Sequence, residues 1–476
     1  MTTARFEQDG PALVVEGKGD APASARLEGS RAAVEGAVSA SGGGWSVRFA
    51  LVAARWGGPE RPLPSGRYRV AVAGAELDAT LPVEMLGTLR AQLDGDTVLV
   101  GPPVDPVYDG GEAQGSLERR YLSHTAPLED AVFFESFYGR SASCNPLALD
   151  REIALRAPGV TRYWSVVDLS VAVPDGAVAV VEGSPEWWRA RSVAKLVIVN
   201  DWLRRAFARR DGQRVLQTWH GTPLKRLALH RKGFAPRRWG AVIKESRRWD
   251  VLLAQNPYAA RILARAYAFF RKPVWVEGYP RNDALVTGDP LAVRERLGIE
   301  PGERVLLYAP TWRDDRDEIV AFIDPARLAV EADAVVLVRG HSRTLIPGRD
   351  VAGPRVVDVT AYPDTSELLL AADALITDYS SVMFDFSVTG KPMYFLVPDL
   401  AHYRGALRGF YFDLAARAPG PLVQDMDGLL AALAADPAEY AERYAAWRRA
   451  FNAREDGRAA ERVVARLIDQ GLLPVG

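Results

Sequence analysis

Cysteine is almost missing from this sequence: Cys144 is the only one among 476 residues. A single thiol builds neither a disulfide framework nor a cysteine-rich zinc site, and such scarcity points to a reducing compartment. A surplus of one charge is missing as well. Lys plus Arg number 59 and Asp plus Glu 60, a net charge of -1, so no global basic excess points to nucleic acid. No apolar run approaches the roughly 18 residues that a membrane span needs. The opening MTTARFEQDG has neither the basic nor the apolar region of a signal peptide. Short-period repeats and low-complexity tracts are absent. So are a G-x-G-x-x-G after a strand, G-x-x-x-x-G-K-[ST], G-x-S-x-G and H-E-x-x-H, which argues against a dinucleotide fingerprint, a P-loop, a nucleophile elbow and a zincin helix. D-x-D occurs three times, at Asp94/Asp96, Asp315/Asp317 and Asp425/Asp427, which shows how little that pattern means alone.

What is present is an ordinary globular composition, 48% hydrophobic and 25% charged, enough to bury a sizeable core. At roughly 150 residues per domain the length predicts about three domains. Residues 1–100 read as a small all-β, sandwich-like domain: ALVVEG, WSVRFALV, YRVAVAG and TVLV alternate and are separated by PSG, SGGG and DGD turns. GPPVDPVYDGGEAQG (101–115) reads as a linker. From 116 the pattern changes to short apolar runs alternating with helical stretches: VFFES (132–136), AVAVVEG (177–183), KLVIVN (195–200), RVLQTW (214–219), VLLAQ (251–255) and VWVEG (274–278). After a connector, GYPRND (278–283), it restarts with RVLLYA (304–309), AVVLVRG (334–340), RVVDV (355–359), ALITD (374–378) and PMYFLV (392–397), and it ends in Ala/Arg/Glu-rich helix. Such alternation means parallel sheets covered by helices on both faces. The expectation is α/β: two Rossmann-like domains, 116–283 and 284–476, facing across a cleft, with ligands beyond the carboxyl ends of the strands.

Four strand ends carry chemistry. RVLQTW runs into His220, Gly221, Thr222 and Pro223. An imidazole there, beside a glycine that admits close approach, suits proton transfer near neutral pH; the plainer use is a histidine bonded to a loop. VLVRG leads to His341 and Ser342, which suit a phosphate or a leaving group, or simply form a turn. ALITD ends at Asp378, with a helix expected from Ser380; Ser380 and Ser381 with free N–H groups make a phosphate site, compatible with plain capping. LLYA leads to Thr311 and Arg313, and an arginine fork fits phosphate oxygens. Separately, the stretch 225–248 holds Lys225, Arg226, Arg231, Lys232, Arg237, Arg238, Lys244, Arg247 and Arg248 against Glu245, with Phe234 and Trp239 interleaved. It reads either as a solvated face or as a surface for a polyanion or an anionic membrane.

Taken together, six strings in order resemble the CDP-glycerol:poly(glycerophosphate) glycerophosphotransferase family, the primases and polymerases of teichoic acid synthesis. They are FFESFYGRSASCNPLAL (133–149), TWHGTPLK (218–225), EGYPRND (277–283), YAPTWRDD (308–315), RGHS (339–342) and TDYSSVMFDF (377–386). Residues 1–115 lie outside that resemblance and look like an added β domain. The resemblance implies a GT-B-type fold, with the second Rossmann-like domain binding a CDP-alcohol donor. It also implies attack by a hydroxyl of a lipid-linked or polymeric polyol-phosphate acceptor on the β-phosphate, with CMP leaving. By the same resemblance His220 is the acceptor-side catalytic histidine and His341 contacts the donor phosphates. Thr311, Ser380 and Ser381 bond the pyrophosphate, Arg313 offsets its charge, and Asp385 is a candidate for ribose or glycerol hydroxyls. Gly221, Thr222, Ser342 and Asp378 complete the expected substrate site. No cofactor or metal is implied. A lipid-linked acceptor places the enzyme in the cytoplasm, peripheral on the inner face of the membrane, with Arg231, Lys232, Arg237 and Arg238 as the patch for membrane or acceptor. Two other readings share these features: a GT-B glycosyltransferase using a nucleotide sugar, and a non-catalytic binder of anionic envelope polymer. The histidines and phosphate loops argue against the binder.

Overall fold

The computed structural model describes residues 2–233, 235–311, 322–340, 353–400 and 409–474. Phe234, Arg313, His341 and Ser342 lie outside the described residues.

The N-terminal region holds two antiparallel sheets packed face to face. The first, in the order β1-β2-β6-β5, comprises β1 (Thr3–Glu7), β2 (Ala12–Lys18), β6 (Gly44–Ala50) and β5 (Ala37–Ser41). The second, in the order β10-β11-β12-β9-β3-β4, comprises β10 (Ala79–Met85), β11 (Arg90–Gly95), β12 (Thr97–Gly101), β9 (Gly66–Val72), β3 (Ala25–Gly29) and β4 (Ala33–Glu35). Alternation sends Leu13, Val15, Val47 and Phe49 from one sheet and Leu27, Val70, Leu93 and Val98 from the other into one core. A ribbon of β7 (Val52–Ala54) and β8 (Glu60–Pro62) stands beside them. Just beyond this ribbon the Ser65 N–H donates to Asp168 Oδ2 at 2.8 Å. Trp56 meets Tyr362 edge-on at 5.3 Å, so the β sandwich touches both of the units that follow. Between them, the 101–115 stretch carries a 3-10 turn at Pro106–Tyr108 and the start of a helix, Gly111–Leu122. It is tied down where Gln114 Nε2 donates to the Tyr108 and Gly183 carbonyls.

Next comes a seven-stranded parallel sheet. Its strands are β13 (Glu129–Glu135), β14 (Thr161–Val166), β15 (Val178–Val181), β16 (Ala194–Val199), β17 (Arg214–Gln217), β18 (Val251–Ala254) and β19 (Val274–Val276), in the order β15-β14-β13-β16-β17-β18-β19. A six-stranded parallel sheet follows: β20 (Val305–Ala309), β21 (Val335–Val338), β22 (Val356–Asp358), β23 (Ala374–Thr377), β24 (Met393–Leu396) and β25 (Leu422–Val423), in the order β22-β21-β20-β23-β24-β25. Central strands such as VLLA of β18 and VLLYA of β20 are buried along their whole length. That is why they read as unbroken apolar runs rather than alternating ones. The sequence reading passed over β14, TRYWSV, because Arg162, Tyr163 and Ser165 break its apolar run; Arg162 is satisfied by Asp150 at 2.6 Å.

Several helix starts share one device: an Asn, Ser or Asp cap followed by proline. Asn256 Oδ1 accepts the Ala259 N–H at 2.8 Å ahead of Pro257, Ser184 caps Pro185–Val193, and Asp324 caps Pro325–Glu331. The last helix, Ala459–Asp469, returns to the first parallel sheet, where Val463, Val464 and Leu467 pack with Val132, Phe134 and Trp164. Both strand orders reverse at an inner pair, β13/β16 in one sheet and β20/β23 in the other. Such switch points open crevices at the carboxyl ends of strands. The two Rossmann-like units facing each other across these ends make a GT-B-type fold.

Candidate active site

A cleft of about 650 Å³ lies where the two sets of strand ends meet. Phe137, Trp219, His220 and Gly221 line it from the first unit; Thr311, Arg339, Ser380 and Ser381 line it from the second.

His220 sits just past β17 on a backbone that is unusual and firmly held. Trp219 has φ +54°, a conformation that costs a bulky residue about 1–3 kcal/mol and persists only when its surroundings impose it. Here they do. Gln217 Oε1 accepts the Trp219 N–H at 2.9 Å. Asn145 Nδ2 donates to the Thr218 carbonyl at 3.2 Å and to the Trp219 carbonyl at 3.1 Å. The next carbonyl, of His220 itself, accepts from Arg281 at 2.9 Å. The ring is fixed too: it stacks on Trp219 at 4.8 Å and 18° and leans against Phe137 at 5.7 Å. His220 Nδ1 lies 2.6 Å from the Asn200 carbonyl. A carbonyl only accepts, so Nδ1 carries the proton and Nε2 is left as a proton acceptor at the cleft.

The two units touch here. A Cβ on Gly221 would stand 2.9 Å from Ser381 Oγ, so glycine is what lets the histidine loop approach the serine loop. The neighbouring Thr222 is fully buried; its hydroxyl donates to Gln255 Oε1 and accepts from Asn256 Nδ2 at 3.1 Å.

On the second unit the helix after β23 begins at Val382 and runs to Phe386, later than the expected start at Ser380. Ser380 and Ser381 form the turn before it, their carbonyls accepting from Met383 and Phe384 at 3.3 and 3.1 Å. A five-residue helix has little macrodipole, so the two hydroxyls, not the helix, are what this loop presents. Asp378 does not line the cleft. Its carboxylate receives the Thr311 N–H at 2.9 and 3.1 Å, tying the loop after β20 to the loop after β23. Asp385 does not line it either: Oδ2 accepts from Arg281 at 2.7 Å and Oδ1 from Asn282 at 3.0 Å.

Among the described residues, Lys225 and Arg339 bring positive charge to the cleft; Arg339 Nη1 donates to the Val359 and Tyr362 carbonyls, both at 3.0 Å. Desolvation pushes its pKa down to about 10, with partial relief from Asp364 and Tyr362, so it stays charged at neutral pH. Arg339 lay inside the RGHS string and Arg281 inside EGYPRND, but neither received a role from sequence. Asn145 and Asn200 were also missed; an asparagine closing the apolar run KLVIVN was the visible signal for the second.

The basic stretch divides into two parts. Its first part docks on the second unit: Tyr411 N–H donates to the Leu224 carbonyl at 2.9 Å and Arg226 N–H to the Gly409 carbonyl at 3.0 Å. His230, without an expected role, bonds the Tyr411 hydroxyl through Nδ1 at 2.7 Å. Burial, with Arg226 and Arg265 nearby, lowers its pKa. The second part is the helix Pro236–Arg248, which exposes Arg237, Lys244 and Arg247 alongside Trp239. Arg231 and Lys232 are exposed just before it. Arg238 differs: half-buried, it turns back onto the Lys232 and Gly233 carbonyls. Among the described residues no helix is long and apolar enough to cross a membrane. Nor does any group of three His, Cys, Asp or Glu side chains among them stand ready to hold a metal ion.

Residues 120–469 match the family model described as CDP-Glycerol:Poly(glycerophosphate) glycerophosphotransferase. The chain is 35% identical over 376 residues to a teichoic acid glycerol-phosphate transferase of Staphylococcus aureus, covering 71% of this chain and 92% of that one. It is 38% identical over 325 residues to a teichoic acid poly(glycerol phosphate) polymerase of Bacillus subtilis, covering 63% of this chain but 43% of that longer protein. Among solved structures, the wall teichoic acid polymerase TagF, in a histidine-to-asparagine variant soaked with CDPG, superposes with a TM-score of 0.69 at 30% identity. That match covers 76% of this chain and 94% of the other.

Proposed function

Because the chain belongs to the CDP-glycerol:poly(glycerophosphate) glycerophosphotransferase family, we propose that it transfers glycerol phosphate, or a similar alditol phosphate, from a CDP-alcohol to a hydroxyl of a lipid-linked or polymeric cell-envelope acceptor. The observation that carries this reading is His220: Nδ1 is held by the Asn200 carbonyl, which leaves Nε2 unprotonated, and the residue lines a cleft that Ser380, Ser381 and Arg339 line from the other unit. In this reading the acceptor hydroxyl attacks the phosphorus that bears the alditol. The new P–O bond forms as the P–O bond to CMP breaks, and the hydroxyl proton passes to His220 Nε2. Thr311, Ser380 and Ser381 bond the pyrophosphate oxygens, and Arg339 adds a cation to the part expected of Arg313 and His341. Such chemistry depends on positioning and charge stabilisation, and it calls for no cofactor.

We assign residues 116–283, together with the returning helix Ala459–Asp469, to the acceptor side and the second unit that lies between them to the donor side. The exposed basic helix, with Arg237, Lys244, Arg247 and Trp239, is read as the surface that meets an anionic membrane at its inner face. Arg231 and Lys232 extend it, whereas the turned-back Arg238 contributes less. The whole chain, incubated with CDP-glycerol, CDP-ribitol or UDP-glucose and a short polyglycerophosphate acceptor, is expected to release CMP, fastest from CDP-glycerol. Release of UDP with no CMP from either CDP-alcohol overturns the reading in favour of a sugar transferase.

A further inference from the structure

Arg281 joins the histidine loop to the donor loop. It lies in the connector between the two Rossmann-like units, and its side chain is 12% exposed. One nitrogen, Nη1, donates to the His220 carbonyl at 2.9 Å and approaches Cys144 Sγ at 3.1 Å. The other, Nη2, reaches Asp385 Oδ2 at 2.7 Å. Asp385 stands on the short helix that Ser380 and Ser381 lead into, so a single guanidinium spans from the base on one unit to the phosphate loop on the other. Its backbone takes part as well: the Arg281 N–H donates to Asn145 Oδ1 at 3.2 Å. The same asparagine grips the Thr218 and Trp219 carbonyls. Three consecutive carbonyls past β17 are thus held by the side chains of two residues that are also bonded to each other through the Arg281 N–H. Burial opposes the charge on Arg281, but Asp385, with Cys144 and Tyr279, outweighs it and raises the pKa, so the guanidinium stays charged.

We propose that Arg281 and Asp385 are positioning residues that register His220 against the donor pyrophosphate. The pair keeps Nε2 at a set distance from the phosphorus when the acceptor arrives. This rests on the transferase reading above and gives Asp385 a different part from contacting ribose or glycerol. Geometry explains why arginine is needed. Lysine keeps the charge but presents one nitrogen, and one nitrogen cannot serve a carbonyl on one unit and a carboxylate on the other in the planar, forked way a guanidinium does. Loss of the link lets the histidine loop, strained at Trp219, shift relative to the donor, and a displacement of about 1 Å can cost on the order of a hundredfold in rate.

The test uses Asp385→Asn and Arg281→Lys in the full chain, with kcat and KM for CDP-glycerol, affinity for CDP by calorimetry, and long-range ¹H–¹⁵N spectra of labelled histidine. Five histidines keep those spectra simple, and His220→Gln identifies the signal of interest. The wild type should show an Nδ1-protonated, Nε2-bare pattern for His220. Both variants should lose about tenfold to a hundredfold in kcat with CDP affinity changed less than about threefold, the mark of an interaction expressed in the transition state. Their His220 signal should move toward a mixture of tautomers. Unchanged His220 signals and kcat overturn the proposal. So does a fall in kcat that follows a lowered melting temperature while the His220 pattern stays as in the wild type. If Arg281→Lys fails to fold, Asp385→Asn decides alone. If the wild type releases no CMP from any CDP-alcohol, the transferase reading fails by itself. The spectra then decide the positioning question: a changed tautomer pattern supports it and an unchanged one refutes it.

Discussion

Replacing Glu455 with Gln should make the protein less sensitive to rising pH. Glu455 lies in the segment that carries the chain back from the second unit to the first. It receives the Tyr279 N–H and Asn282 Nδ2, both at 3.2 Å. The residue as a whole is half-buried, yet its carboxyl end is closed off from solvent. Burial pushes its pKa from the ordinary 4.5 up to about 8, against those hydrogen bonds. The folded state therefore holds this proton more tightly than the unfolded chain does. The stability it lends is fully present below pH 4.5, declines as pH rises, and is gone above about pH 8. At about 1.4 kcal/mol for each pH unit above 4.5, ionisation costs about 3 kcal/mol at pH 7 and about 5 kcal/mol above pH 8. Glutamine resembles the protonated acid in shape and cannot ionise. Melting temperatures of wild type and Glu455→Gln, measured by calorimetry at half-unit steps from pH 5 to 8.5, should nearly coincide at pH 5. They should then diverge steadily, with the variant several degrees higher at pH 8. Parallel profiles, or a gap that opens toward acid, refute the argument. The consequence reaches the site, because Tyr279 and Asn282 flank Arg281.

His220→Ala should lower CMP release by about a hundredfold or more, the usual worth of a general base, while calorimetry shows CDP binding little changed; near-wild-type turnover removes the assignment. Sedimentation with anionic vesicles should capture the protein at low salt, capture little with neutral vesicles, and fail at high salt. The triple change Arg237→Glu, Lys244→Glu, Arg247→Glu should abolish that binding and spare activity on a short soluble acceptor. Vesicle binding that survives all three means the helix is a solvated face.

Much of this architecture was legible in one dimension because its strands are buried on both faces. KLVIVN, VLLAQ and RVLLYA have to be apolar throughout, and runs of that length bounded by Gly, Pro or Asn announce parallel strands. The alternation in residues 1–100 announced antiparallel sheets for the complementary reason, one face dry and one wet. His220, Gly221, Ser380 and Ser381 could be singled out because they follow such runs. Chain order alone says that a strand end in an α/β sheet borders a crevice.

What sequence could not supply was who faces whom. Asp378 and Asp385 were expected among the substrate contacts from the resemblance carried by TDYSSVMFDF. Only the packed structure shows their oxygens turned inward, one to the Thr311 N–H and the other to Arg281 and Asn282. Arg281 is 61 residues from His220 and 104 from Asp385 in sequence, and no local pattern encodes a contact over such separations. The basic stretch 225–248 was one run of charge on paper. In space its first part pairs with residues 409–411 while its helix stays exposed, since backbone pairing depends on where the second unit lands. Local periodicity and turn chemistry determined the elements and the strand ends. The hydrogen bonds that hold the base, close the cleft and bury Glu455 were decided by tertiary structure, because they join groups that meet only after both sheets have formed.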